Sequence, residues 1–132
     1  MSKRTVSEIQ DQIGEWADRN FPCDDRSRTA LRVALGVAEE TGELAHAILK
    51  RDQHIRNPML MSKGATYTDE AQDAVGDIVI YLMHLCHSEG WDIGDIIDDT
   101  SEKVMQRDWI KYPRTGMRYV DAAMEANEKK GI

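Results

Sequence analysis

The sequence has few cysteines, no long apolar segment and fewer basic than acidic residues. Cys23 and Cys86 are far apart and lack the spacing of metal-binding pairs, which favours reduced thiols in a cytoplasmic protein. An apolar N-terminal leader and an apolar run long enough to span a membrane are both missing, so we expect neither a signal peptide nor a membrane anchor. With 24 acidic against 17 basic residues and a formal net charge of -7, we also expect no binding to nucleic acid or to an anionic membrane.

Strand-like alternation, internal repeats and low-complexity segments are absent as well. Helical periodicity instead predicts one all-α domain over residues 1–132, with a core from about 5 to 110 and a C-terminal tail helix at about 117–130. A domain of 132 residues has a small core that oligomerisation would enlarge. We therefore expect a homodimer or a homotetramer.

Local signals predict where the helices begin and end. Thr5 and Glu8 have the spacing of a capping box, and Asp25 or Ser27 is suited to cap the next helix. The helical pattern lapses from 53 to 66, which predicts a long loop or flap. The five predicted helices cover residues 6–20, 27–52, 68–89, 93–109 and 117–130.

An acidic cluster lies inside the otherwise apolar second helix. Glu39, Glu40 and Glu43 fall in the arc between two apolar stripes, so these carboxylates are able to share one crevice. Carboxylates beside a core are unfavourable unless a positive charge is present, which points to a divalent cation. Two stripes also predict a helix that is covered on two sides. The stripes are Leu31, Leu35, Ala38, Ala45 and Leu49, and Val33, Val37, Leu44 and Ile48.

The third and fourth helices carry further charged groups in register. Glu70, Asp73 and Asp77 follow one line along the third helix, where like charges repel unless a cation or water lies among them. On the fourth helix Lys103 and Arg107 are expected on one face, which places two cations in register.

Three acidic runs together resemble the MazG-like, all-α nucleoside triphosphate pyrophosphohydrolases, a superfamily that includes dCTP pyrophosphatases and dimeric dUTPases. Residues 39–43 form an EExxE motif, residues 70–73 form an ExxD motif, and residues 73–82 read DAVGDIVIYL. The resemblance covers roughly residues 9–109. It implies a four-helix bundle with an extra C-terminal helix, completed by helices of a neighbouring subunit.

The activity that the resemblance implies is magnesium-dependent hydrolysis of an NTP or dNTP to the monophosphate and pyrophosphate. The role would be control of nucleotide pools or removal of modified nucleotides. By position, Glu40, Glu43 and Asp77 match the family's ligands for Mg²⁺, with Mn²⁺ as an alternative ion. Many family members have Glu where this chain has Ala74. Either Asp73 or Glu70 supplies the missing ligand, or the site holds fewer ions.

The resemblance implies two phosphate-binding residues, and the chemistry of the reaction suggests two further roles. Lys103 and Arg107 match a phosphate-binding NxxKxxxR run, with Thr100 in place of Asn; covering the core with their aliphatic stems is the alternative. Glu39 is the candidate base for the attacking water. Trp16 is the candidate to stack on the base of the nucleotide, with interior or interface packing as the alternative.

Other functions fit parts of the pattern. A solvated acidic face is the simplest alternative for the glutamates. Glu43 and His46 form one ExxH pair, but a carboxylate-bridged di-iron bundle needs a second pair, and the sequence has none. A non-catalytic helical module that binds a metal or a protein partner would keep metal binding without hydrolysis. Phosphoribosyl-ATP is a further candidate substrate, because a histidine-pathway pyrophosphohydrolase shares the family's fold.

Overall fold

A computed structural model describes residues 2–54 and 66–131, which form five α-helices and no strand. The predicted all-α class is confirmed for these residues. None of the five helices combines the length and the apolar character needed to cross a bilayer. The flap predicted at 53–66 falls for the most part outside the described residues. The helices are α1 (Val6–Asn20), α2 (Arg26–Gln53), α3 (Tyr67–Glu89), α4 (Ile93–Met105) and α5 (Arg118–Lys129).

Side-chain caps fix the starts of the first three helices. The predicted capping box of α1 is present, because Glu8 N donates to Thr5 Oγ1 at 3.2 Å while Thr5 N donates to a Glu8 carboxylate oxygen at 2.6 Å. Asp25 caps α2 by accepting from the backbone of Ser27 at 3.0 Å. Thr66 forms a second capping box at the start of α3. The predicted boundaries of these helices are therefore confirmed to within one or two residues.

Helix α4 ends at Met105, so the prediction that it continues to Trp109 is wrong. Asp108 explains the early end, because its carboxylate accepts from the backbone N–H groups of Ile110 and Lys111 at 3.1 and 2.9 Å. An Asp side chain that binds nearby backbone groups favours a turn over a helix. Arg107 consequently lies outside α4, and its guanidinium stands over the ring of Trp109, 6.0 Å from the centroid.

Glycines allow helices α1 and α2 to approach α3 closely. Gly36 on α2 lies against the ring of Tyr81, so that an added Cβ would be 2.5 Å from a ring atom. Gly14 on α1 meets the ring of His87 in the same way. The His87 ring also contacts Asp18, with 2.8 Å between Nε2 and a carboxylate oxygen. These contacts fix which faces of the three helices meet.

A small apolar core lies where α1, α3 and the start of α4 meet. Cys86 is 6 % exposed within it, which confirms the interior position expected from the sequence. Gln10 is buried beside this core and donates to Trp91 O at 2.7 Å while accepting from Ile93 N at 2.7 Å. The side chain of Gln10 thus satisfies the backbone of the turn between α3 and α4. The core consists of Met83, Cys86 and Ile93 with Ile9, Ile13 and Ile80 around them.

Only one of the two apolar stripes of α2 is covered in the single chain. Val33 is 2 % exposed, whereas Leu31 is 60 % and Leu35 is 64 % exposed. The sequence predicted that both sides of this helix are covered, and the single chain covers the side of Val33 but leaves the side of Leu31 and Leu35 exposed. Helix α3 likewise has an exposed apolar face, formed by Val75, Val79 and Leu82.

The chain divides into two compact units, Met1–Ile93 and Gly94–Ile132. The first contains α1 to α3. The second contains most of α4 and all of α5, and in it Arg114 forms a two-bonded ion pair with Glu128 at 2.8 and 3.0 Å. The organisation of the whole chain as one domain stays a prediction.

Candidate functional site

Two cavities lie along α2 and α3 in the first unit. The acidic cavity has a volume of about 580 Å³ and is lined by Glu39, Gly42, Glu43 and His46 of α2 and by Glu70 and Asp73 of α3. The second, which we call the aromatic cavity, has a volume of about 450 Å³. Its lining combines carboxylates, aromatic rings and other polar groups, among them Trp16, Phe21, Thr29, Arg32, Glu40, Asp77, Tyr81 and His84.

Glu40 is the least satisfied carboxylate of the site. Its Oε2 atom is buried and has no hydrogen-bond partner among the described residues. Burial, and then the nearby charges of Glu43, Asp77 and Glu39, raise the pKa of Glu40 above its usual range. Within residues 2–54 and 66–131, an ionised Glu40 therefore has no positive partner, and three other carboxylates lie near it.

The six predicted site carboxylates come from the expected helices, but they line two cavities instead of one crevice. Glu39 and Glu43 face the acidic cavity, whereas Glu40 and Asp77 face the aromatic cavity. The charge interactions of Glu40 with Glu43 and Asp77 link the two groups. Ala74 is 2 % exposed, so its side chain points into the helix packing.

The donor set fits a hard cation. Mg²⁺ prefers oxygen ligands, and these two helices supply carboxylates with one oxygen buried and unpartnered. Within residues 2–54 and 66–131, however, the side chains do not form a ready-made site: no group of three or more His, Cys, Asp or Glu residues is close enough together to hold an ion. Such a spread is expected of like charges that have no cation between them. Glu40, with Glu43 and Asp77 beside it, is the centre around which ligands would gather.

Trp16, the predicted base-stacking residue, lines the aromatic cavity. It is 44 % exposed, and its ring meets Phe21 edge to face, with 5.4 Å between the centroids and 75° between the planes. An aromatic face is thus accessible in the same cavity as Glu40 and Asp77. The predicted phosphate-binding residues Lys103 and Arg107 belong to the second unit, and their role stays a prediction.

The sequence interpretation assigned no role in the site to Arg32, Tyr81 or His84, which all line the aromatic cavity. A signal for them exists in the spacing. Arg32 precedes Glu40 by eight residues on α2, and Tyr81 and His84 follow Asp77 by four and seven residues on α3. Residues at these separations share a helix face. Counting along the helix from each carboxylate would therefore have found them.

Comparison with known proteins supports the family expected from the acidic motifs. Searches among curated proteins and among solved structures found no match to the chain. The family model described as the MazG nucleotide pyrophosphohydrolase domain matches residues 28–109, which include most of α2, all of α3 and α4, and all six site carboxylates. The match extends over more than half of the 132 residues, and the chain therefore belongs to the MazG nucleotide pyrophosphohydrolase family.

Proposed function

We propose that this nucleotide pyrophosphohydrolase cleaves a nucleoside or deoxynucleoside triphosphate between the α- and β-phosphates. Water adds to the α-phosphorus, the bond from that phosphorus to the bridging oxygen breaks, and the products are the monophosphate and pyrophosphate. The observation that carries the proposal is the unpartnered, buried oxygen of Glu40, which lies among the carboxylates of two helices. A triphosphate that arrives with divalent cations would supply the positive charge that this group lacks.

The residues proposed to hold Mg²⁺, or Mn²⁺ in its place, are Glu40, Glu43 and Asp77, with Glu70 or Asp73 as a further ligand. When bound, the ion would neutralise charge on the phosphates and polarise the phosphorus for attack. The carboxylates contribute by fixing the position of the α-phosphate between α2 and α3. The absence of a side chain at Gly36 allows α2 to pack closely against Tyr81 of α3.

Glu39 is the proposed general base. It is exposed in the acidic cavity next to Glu43, where water has free access. A carboxylate in this position is able to accept a proton from the attacking water. The reaction then needs no covalent intermediate, because water itself is the nucleophile.

Charge that develops on the pyrophosphate leaving group requires cationic partners. Lys103 and Arg107 are our candidates. Lys103 is an exposed residue in the last turn of α4, and Arg107 follows the end of that helix. Guanidinium and ammonium groups bind phosphate oxygens through charge-assisted hydrogen bonds.

We further propose that the functional form is a homo-oligomer. Exposed apolar stripes on α2 and α3 support this, because contiguous apolar surface commonly marks a protein interface. In such an oligomer a second copy would cover Leu31 and Leu35, the side of α2 that the single chain leaves open.

The test is a product assay on the purified protein with a panel of ribo- and deoxyribonucleoside triphosphates. Reactions contain Mg²⁺ or a chelator, nucleotides are separated by ion exchange, and pyrophosphate is measured independently. We expect metal-dependent formation of monophosphate and pyrophosphate in equal amounts. Diphosphate plus orthophosphate, or no turnover of any member of the panel, would contradict the proposal.

A matched pair of variants distinguishes this activity from that of a contaminating phosphatase. Glu43→Gln removes one proposed ligand of α2 and should abolish product formation while the helical circular dichroism is retained. Glu15→Gln makes the same chemical change on α1, where the residue is exposed and lines neither cavity, and should remain fully active. Equal activity of the two variants would remove Glu43 from the site.

A further inference from the structure

The aromatic cavity continues beyond the carboxylates toward polar side chains that the proposed reaction does not use. Asp77 and His84 both line it from α3, and Glu40 and Arg32 line it from α2. At a rise of 1.5 Å per residue, His84 lies about 10 Å from Asp77 and Arg32 about 12 Å from Glu40 along the helix axes. These separations are comparable to the length of a nucleotide measured from its α-phosphate to the far edge of its base.

Helices α2 and α3 bring Arg32 and His84 to the same end of the cavity. Glu40 interacts with Asp77, and four residues from each of them Gly36 contacts Tyr81. The residue numbers fall on α2 while they rise on α3, so the two helices run antiparallel. Arg32 lies about one turn beyond Gly36 on α2, and His84 lies about one turn beyond Tyr81 on α3, so the two residues are at a similar height along the helix pair.

Arg32 offers hydrogen-bond donors that are not used within the fold. The residue is exposed at the rim of the cavity, and no hydrogen bond or ion pair engages its guanidinium in the part of the chain that the structure describes. Guanidinium has five N–H donors and no acceptor. At the edge of a base it therefore favours a carbonyl oxygen and disfavours an amino group.

His84 offers the complementary group. Burial, followed by the charge of His87, lowers the pKa of His84, while Asp18 opposes this shift. Asp18 itself is bonded to His87 at 2.8 Å. At neutral pH His84 is consequently uncharged, and a neutral imidazole has one donor nitrogen and one acceptor nitrogen. The acceptor is available to a ring N–H of a bound base.

We propose that Arg32 and His84 select nucleotides whose base carries a ring N–H beside a carbonyl group, the lactam edge of uracil, thymine, guanine and hypoxanthine. Arg32 donates to the carbonyl oxygen and His84 accepts from the ring N–H. Cytosine and adenine present an amino group there, which would place donor against donor at Arg32, and an unprotonated ring nitrogen, which His84 would meet as a donor only in its other tautomer. The aromatic faces of Trp16 and Phe21 cover the base without reading its edge. This inference rests on the proposed function for the position of the phosphates.

Binding of the products tests the inference without requiring hydrolysis. Titration calorimetry with the full chain and Mg²⁺ measures the dissociation constants of dUMP, dCMP, dGMP and dAMP. We expect about tenfold or tighter binding of dUMP over dCMP, of dGMP over dAMP, or of both. The pair that shows the preference tells whether the pyrimidine or the purine lactam is bound. Equal affinities within both pairs, a reversed order, or no binding of any nucleotide would overturn the inference.

Variants identify the residues responsible. Arg32→Met and His84→Phe preserve size but remove the polar groups, and each should reduce the preference to less than about threefold by weakening only the lactam nucleotide. His84→Gln keeps a donor and an acceptor and should retain the preference. Arg28→Met removes the same charge one turn earlier on α2, outside the cavity lining, and should behave as the unmodified protein.

The outcomes separate this inference from the proposed function. Full preference in Arg32→Met and His84→Phe, with native circular dichroism, would overturn the role of the two residues. Lactam preference in binding together with no hydrolysis of any triphosphate would leave the inference standing while the proposed function fails. Hydrolysis of all triphosphates together with equal affinities for the monophosphates would support the proposed function and overturn this inference.

Discussion

At the scale of single residues, Glu40 is the group on which the site depends. In the ion-free chain its ionised form is disfavoured by burial and by Glu43, Asp77 and Glu39, and its pKa is raised. A raised pKa means that ionisation of Glu40 destabilises the fold, so the penalty is present at neutral pH and disappears as the pH falls through that pKa. The same unsatisfied charge is available to attract a cation.

Glu40→Gln should consequently lower activity by about a hundredfold or more and yet raise the melting temperature of the chelator-treated protein at pH 7. The gain in melting temperature should shrink as the pH is lowered, because the unmodified Glu40 then becomes protonated and neutral. Thermal unfolding from pH 4 to pH 8, with and without Mg²⁺, measures both effects. A variant that is less stable than the unmodified protein at pH 7 would show that Glu40 has a partner in solution.

Which of Glu70 and Asp73 acts as the further proposed metal ligand is a second question at this scale. Glu70 and Asp73 both line the acidic cavity, but Glu70 is half-buried while Asp73 is exposed. We expect Glu70→Gln to weaken Mg²⁺ binding by about tenfold or more, and Asp73→Asn to have a smaller effect. Calorimetric titration of Mg²⁺ into each variant decides between them, and the reverse order would assign the ligand to Asp73.

At the scale of helices, the closeness of α2 and α3 depends on Gly36. In an open helix, Gly→Ala stabilises by roughly 0.5–1 kcal/mol. At position 36 the new Cβ would lie 2.5 Å from the Tyr81 ring, and overpacking of this kind costs about 1–3 kcal/mol. We therefore expect Gly36→Ala to lower the free energy of unfolding in urea titrations.

Gly42 provides the control on the same helix, because a Cβ there would meet no side chain or neighbouring helix within 4 Å among the described residues. Gly42→Ala should raise the free energy of unfolding by roughly 0.5–1 kcal/mol. Similar stabilisation by both substitutions would mean that Tyr81 moves aside easily and that the helix spacing is not fixed by this contact.

Helix boundaries were predictable where a local side chain determines them. The capping box of Thr5 and Glu8 and the cap at Asp25 are readable because their hydrogen bonds span only two or three residues. The end of α4 was not predicted, because the helical spacing of Lys103 and Arg107 continues beyond Met105, where the helix ends. The turn that follows is stabilised by Asp108. Periodicity does not report when a side chain competes with the helix for backbone N–H groups.

The candidate site was predictable to a similar degree. The spacing of Glu39, Glu40 and Glu43 identifies carboxylates on neighbouring faces, but which of them turns toward α3 depends on how the helices pack. The contact of Gly36 with Tyr81 sets that rotation and divides the carboxylates between two cavities. Counting along each helix finds Arg32 and His84 separately, but only the antiparallel packing of α2 and α3 shows that they line the same cavity.

At the scale of the whole molecule, the exposed apolar residues of α2 and α3 are the main feature that a single chain leaves unexplained. Leu35 is 64 % and Val75 is 50 % exposed, although both belong to regular apolar stripes. Family membership accounts for the carboxylates but does not by itself state how many copies assemble. We propose that a second copy of the chain packs against these stripes.

Leu35→Glu should therefore weaken self-association, since it places a charge in the proposed interface while leaving the single chain's own packing intact. We expect sedimentation equilibrium to show an oligomer for the unmodified protein and a dissociation constant raised by about tenfold or more in the variant. Gln12→Glu adds the same charge at an exposed position of α1, outside the stripes of α2 and α3, and should not change the assembly. A monomeric unmodified protein, or equal association of both variants, would contradict the proposal. Native helical circular dichroism in Leu35→Glu would show that the effect arises from lost contacts between copies and not from unfolding.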